Sequence, residues 1–220
     1  MSGITERLNA IRTTIPEGVC LLAISKYYPV EAVEEAYNAG QRDFGENKDQ
    51  DLVVKEQALP KDIRWHFTGH LQSNKIKYIA PFVYMIHSID SLQLLKEINK
   101  HGAKVGRKIN CLLQIHIAKE ESKFGFTPDE CLAMLEKEEW KELENIEIRG
   151  LMCMASNTDD MSQVRNEFSA VKSLFDCIKE RWFAQSTSFD TISAGMSGDY
   201  ITAMECGSTC VRIGSSIFEG

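Results

Sequence analysis

Short apolar runs alternate along the chain with amphipathic stretches of helical period. Ile4, Leu8, Ile11 and Ile15 recur at helical spacing and predict an opening helix that Pro16 and Gly18 close. An almost unbroken apolar run, Val19 to Ser25, predicts a buried strand. Further strand-like runs lie at Asp43 to Gly45, Trp65 to Gly69, Val83 to His87, Cys111 to Ile117, Ile146 to Met154, Thr191 to Ala194 and Cys210 to Ile213. Between them the period is helical: Pro29 to Ala39, Lys48 to Ala58, Asn74 to Ile79, Ser91 to His101, Pro128 to Glu139, Met161 to Phe183 and Tyr200 to Met204. Pro29 suits a first helical turn and Gly40 a helix stop. Asp90 with Gln93, and Thr127 with Pro128 and Glu130, read as helix starts.

Eight strands alternating with helices predict an α/β fold, a single (β/α)8 TIM barrel occupying residues 1–220 as one domain. A doubly wound open sheet shares the alternation and is the competing topology. No Pro/Gly/Ser-rich linker or low-complexity segment divides the chain. A hydrophobic fraction of 43% and a charged fraction of 26% are those of a soluble globular protein. The net charge of −7 argues against nucleic acid as a partner, although Lys75 and Lys77 could hold one small anion. The start, Met1 to Arg7, has no apolar signal core, and no run approaches the length of a membrane span. Seven cysteines without a C-x-x-C pair read as reduced thiols in a cytoplasmic protein.

In a barrel, functional groups collect where strands hand over to the following loops. Lys26 stands there after the first strand, on the same face as Ile24, Leu22 and Cys20. If that face is the interior, desolvation favours the neutral amine that a carbonyl nucleophile requires, and a Schiff base suits the position. The plainer alternative is a rim lysine whose head stays in water. Arg212 and Gly214 share a face of the last strand, with Gly207-Ser208-Thr209 before and Ser215-Ser216 after, a pattern that suits an anion site. A simple turn, with Arg212 paired to a buried carboxylate, is the alternative there. His66 and His70 lack a completing ligand set, so they read as hydrogen-bonded pocket or core residues and no metal is expected.

Five ordered blocks now take on meaning together. They are Ser25-Lys26 with Pro29; Phe44-Gly45-Glu46-Asn47; Trp65 to Lys75; Gly195-Met196-Ser197-Gly198-Asp199; and Gly207 to Gly214. The chain resembles, over nearly its whole length, the pyridoxal 5′-phosphate (PLP) homeostasis proteins, which are PLP-binding, alanine racemase-like barrels. The resemblance implies a fold-type III PLP barrel resembling the alanine racemase N-terminal domain, with PLP held on Lys26 as an aldimine. It further implies Ser197, Gly214 and Ser215 near the phosphate, Arg212 near the pyridine nitrogen, and Asn47 and Met196 around the ring. The chain departs from the family pattern at Lys48-Asp49-Gln50-Asp51, where an aromatic and a glutamate are usual, and at Glu219-Gly220, where a basic residue usually follows.

A cation beside the pyridine nitrogen opposes protonation there and weakens the ring as an electron sink. The resemblance therefore implies a PLP carrier with no catalytic residues. Such a carrier serves intracellular vitamin B6 homeostasis, influences amino-acid pools, and has apo PLP-dependent enzymes as possible acceptors. An exposed rim suits a monomer. The main alternative is a PLP-dependent amino-acid racemase. Alanine racemases add a second domain whose tyrosine is one of two opposing proton carriers, and the chain is expected to have no room for it. A racemase would then draw on Tyr27, Tyr28 or Tyr200. A cofactor-free lysine aldolase would also use Lys26 but leaves the anion-site pattern unexplained.

Overall fold

The computed structural model describes residues 3–118 and 124–219. Met1, Ser2 and Gly220, on which the reading of the chain ends touched, lie outside them. Eight parallel strands close into a barrel in chain order: β1 (Cys20–Ile24), β2 (Asp43–Glu46), β3 (Arg64–Phe67), β4 (Met85–Ile89), β5 (Ile109–Ile115), β6 (Ile146–Cys153), β7 (Thr191–Ser193) and β8 (Cys210–Ile213). β8 returns to β1 with Cys20 opposite Cys210 and Leu22 opposite Arg212. The helices are α1 (Ile4–Arg12), α2 (Val30–Asn38), α3 (Asp49–Ala58), α4 (Ile76–Ile79), α5 (Leu92–Val105), α6 (Pro128–Glu136), α7 (Met161–Trp182), α8 (Tyr200–Glu205) and α9 (Ser215–Phe218). The barrel is therefore closed, and the open sheet is excluded.

Strand parity divides the core in two. Ala23, Phe44 and Trp65 face outward into the large apolar layer beneath the helices. Leu22 and Ile24 pack with Cys210 in one interior cluster, and Met85, Leu112 and Met152 form another. Gly45 on β2 makes room inside, because a Cβ there would sit 2.6 Å from Ile24 Cδ1. Burial on both faces is why the strands read as continuous apolar runs.

Local signals fix most helix ends. Thr127 accepts from the Glu130 N–H while Glu130 accepts from the Thr127 N–H, the expected capping box. Ser91, not Asp90, caps α5 by accepting from the Leu94 N–H. Pro29 stands at the N-cap of α2 instead of inside its first turn. The helix expected over Pro128 to Glu139 ends at Glu136, because Glu138 turns to φ 56 before a 3₁₀ turn, Glu139–Glu142. α9 escapes the periodicity because one turn is too short to show a period.

Gly150 on β6 has φ +148, and a Cβ there would stand 1.8 Å from the Thr191 carbonyl oxygen of β7. Gly150→Ala should therefore cost about 1–3 kcal/mol or more, since the clash is with backbone. The denaturant midpoint measures it; an unchanged midpoint would mean that β6 and β7 separate freely.

Candidate cofactor-binding site

Lys26 lies two residues past Ile24, the last of β1, and its half-buried side chain continues the interior face of Leu22 and Ile24. The chain then turns sharply: Tyr28 N–H donates to the Ser25 carbonyl at 3.1 Å, and Tyr27 takes φ 72, a left-handed conformation costly for a non-glycine residue. Among the described residues the Lys26 Nζ makes no hydrogen bond or ion pair, and its charge contact is the Tyr27 ring at 5.6 Å.

The β1 end is held from behind. Lys55 of α3 donates to the Ser25 carbonyl at 2.8 Å and to Glu46 Oε1 at 2.6 Å, while the Ser25 hydroxyl donates to the same carboxylate oxygen at 2.6 Å. Glu46 is fully buried. Burial pushes its carboxyl above the usual range although Lys55 and Ser25 pull it down. Glu46 thus serves the scaffold, and its neighbour Asn47 faces the cavity. Asn47 Oδ1 is buried with no partner. Gly69 is required beside it, because a Cβ there would lie 2.0 Å from the Asn47 carbonyl oxygen.

Arg212 is buried on β8 with backbone and hydroxyl partners, not the buried carboxylate that the sequence left possible. Its Nη1 donates to the Ser193 carbonyl at 2.7 Å and hydroxyl at 2.8 Å, and Nη2 to the Cys153 carbonyl at 2.7 Å. Gly195 at φ +92 turns the chain out of β7, where a Cβ would meet Ala203 at 2.6 Å, and Met196 and Ser197 follow at the mouth. Ser215, in the first turn of α9, donates to Ser197 Oγ at 3.2 Å.

These residues share one cavity of about 600 Å³ at the C-terminal mouth of the barrel. All seven sequence candidates, Lys26, Asn47, Met196, Ser197, Arg212, Gly214 and Ser215, line it. Gly207-Ser208-Thr209 does not. It precedes β8 at the opposite face, where the Ser208 hydroxyl lies within hydrogen-bond distance of the carbonyls of Ile192, Ala194 and Cys210. Tyr200 is also elsewhere, with its hydroxyl 2.9 Å from Thr14 Oγ1. Gln114 and Phe124 line the cavity and were missed; the one signal was a polar residue inside the apolar β5 run. His70 stacks on Phe124 at 3.9 Å at the rim and stands 3.4 Å from Asp90. A larger cavity of about 920 Å³ opens at the N-terminal face, where Arg64 donates to Asp43 at 2.7 Å. Among the described residues no His/Cys/Asp/Glu group could hold a metal, no helix is long and apolar enough to cross a membrane, and all seven cysteines are free.

The closed barrel is an alanine racemase-like one, since residues 1–220 match the family model described as alanine racemase, N-terminal domain. A pyridoxal phosphate homeostasis protein of Helicobacter pylori is 38% identical over 203 residues, covering 91% of this chain and 87% of its own. The chain belongs to the pyridoxal phosphate homeostasis protein family. PipY of Synechococcus elongatus, in a structure with PLP bound, matches with a TM-score of 0.87 at 32% identity over 98% of this chain and 99% of that one. Alanine racemase of Clostridium difficile shares the fold, with a TM-score of 0.80 at 16% identity over 98% of this chain and 56% of that one.

Proposed function

We propose that this protein binds PLP in the C-terminal cavity, covalently through Lys26, and stores and passes on the cofactor without catalysing a reaction. The observation that carries the proposal is the Lys26 amine, half-buried in the cavity and unpaired among the described residues. The remaining residues fit the group. Asn47 presents a buried amide whose Oδ1 needs a partner. Ser197 and Ser215 offer hydroxyls for a phosphate. PLP, when bound, supplies an aldehyde carbon that reacts with amines. Arg212 presents a permanent cation to the ring, and Met152, Met154 and Met196 supply apolar walls.

Arg212→Ala should weaken PLP binding about tenfold or more, the worth of a lost hydrogen bond to a charged group. It should also cost about 1–3 kcal/mol of stability. The side chain ties the Ser193 and Cys153 carbonyls together, so its loss loosens the ends of β6 and β7. Cofactor titration and thermal melting measure the two effects. Unchanged affinity would remove Arg212 from the site.

A racemase needs a second proton carrier facing the lysine. Tyr27 is 74% exposed, and the Tyr28 hydroxyl donates to Glu219 at 2.6 Å, its pKa pushed up to about 12 by burial and that bond. His70, 3.4 Å from Asp90, is a further lining group with suitable chemistry. The PLP-loaded protein should transfer the cofactor to an apo PLP enzyme, which is how it would bear on vitamin B6 and amino-acid pools, and should leave D- or L-alanine uninverted. Chiral chromatography showing sustained racemisation at about one turnover per second or faster would overturn the carrier role.

A further inference from the structure

Behind the cavity, a line of polar side chains crosses the apolar interior of the barrel. Arg212 Nη1 donates to Ser193 Oγ at 2.8 Å, and Ser193 Oγ lies 3.0 Å from His87 Nδ1. His87 Nε2 lies 2.8 Å from His66 Nδ1, and His66 Nε2 lies 3.2 Å from Asp43 Oδ1. Ser193 and His87 are fully buried, and His66 is 2% and Arg212 5% exposed. Asp43 and His66 border the cavity at the opposite face, so the line runs from one end of the barrel to the other. Buried polar groups are costly unless bonded, and each member here has a partner on both sides.

With both imidazoles neutral, the Asp43 end sets the direction of every bond. Arginine only donates, and an ionised carboxylate only accepts. Burial pushes the Asp43 carboxyl up, but hydrogen bonds from His66 and Arg64 outweigh it and hold the group below its ordinary value, so it is ionised. His66 Nε2 must then carry a proton toward Asp43, and in the neutral ring Nδ1 accepts. His87 Nε2 is the donor to it, which leaves His87 Nδ1 to accept from the Ser193 hydroxyl. His87 is neutral, because burial, reinforced by the Arg212 charge, holds its imidazole well below the usual range.

We propose that Ser193, His87 and His66 form a one-way hydrogen-bond relay from Arg212 to Asp43, and that this relay positions the Arg212 guanidinium for the cofactor ring. A carboxylate placed directly against Arg212 would cancel its charge at the ring. Neutral intermediaries fix its orientation and keep the carboxylate remote, so the field at the ring stays positive. Ser193, His87 and His66 are positioning residues, and their service to the ring rests on PLP binding as proposed; the direction of the bonds does not.

Long-range ¹H–¹⁵N spectra of the cofactor-free protein test the direction. Both His66 and His87 should be Nε2–H tautomers, and a proton on Nδ1 of either ring would overturn the relay. Positioning is tested with His87→Phe, which should weaken PLP binding about tenfold. It should also move the absorption maximum of bound PLP in the same sense as Arg212→Ala, and add no further shift in the Arg212→Ala background. His87→Gln, which keeps one donor and one acceptor, should restore both. If His87→Phe does not fold, Ser193→Ala makes the same comparison by removing one oxygen beside Arg212. A lower melting temperature with wild-type affinity and absorption would overturn positioning and leave PLP binding standing. An unchanged affinity and spectrum in Arg212→Ala would overturn the positioning role together with the assignment of Arg212 to the ring.

Discussion

A Lys26→Ala variant is expected to lose borohydride-fixable PLP altogether while folding as the wild type does. The amine is unpaired among the described residues, so its removal orphans no buried partner, and the stability change should stay within about 0.5 kcal/mol. Attachment has few competitors. Lys48 stands at the mouth, 5.9 Å from the Tyr27 ring, but is exposed. Lys55 is buried behind the strand and committed to Glu46 and Ser25. Peptide mapping of the reduced wild type should therefore place the pyridoxyl group on Lys26. Recovery of most of it from another lysine would refute the assignment.

Lys55→Met should destabilise the barrel by about 3–5 kcal/mol at neutral pH, because it strands a charge instead of deleting a pair. The Glu46 and Lys55 side chains are 0% and 6% exposed, so water cannot replace the lost partner. The cost should shrink as the pH falls. Burial already raises the Glu46 carboxyl above its unfolded value, and losing Lys55 removes the strongest opposing influence. The native variant then takes up a proton before the unfolded chain does, and stability is regained as pH drops toward the carboxylate range. Denaturant melts at several pH values check both magnitude and slope. A deficit that is constant with pH would mean that Glu46 finds another cation.

The helix starts show which signals survive folding. The Thr127 box is local, needing only four consecutive residues, and it forms as read. Ser91 displaced Asp90 because two adjacent residues could both cap, and the geometry of the β4 exit chose between them. Glu46 and Asn47 illustrate a harder case. Adjacent strand residues point to opposite faces, so one enters the ion pair with Lys55 and the other the cavity. Their order along the chain does not say which.

The sequence by itself determined the eight alternating units, the shared face of Lys26 with Ile24 and Leu22, and the shared face of Arg212 with Gly214. These follow from period and parity, which are properties of consecutive residues. Tertiary structure alone decided that Ser208 ties strands at the far face, that Tyr200 turns to Thr14, and that Gln114 and Phe124 reach the cavity. It alone joined Asp43, His66, His87, Ser193 and Arg212, drawn from five strands, into one hydrogen-bonded line. The physical reason is closure: a barrel sets side chains from distant strands side by side, and no local pattern along the chain encodes that register.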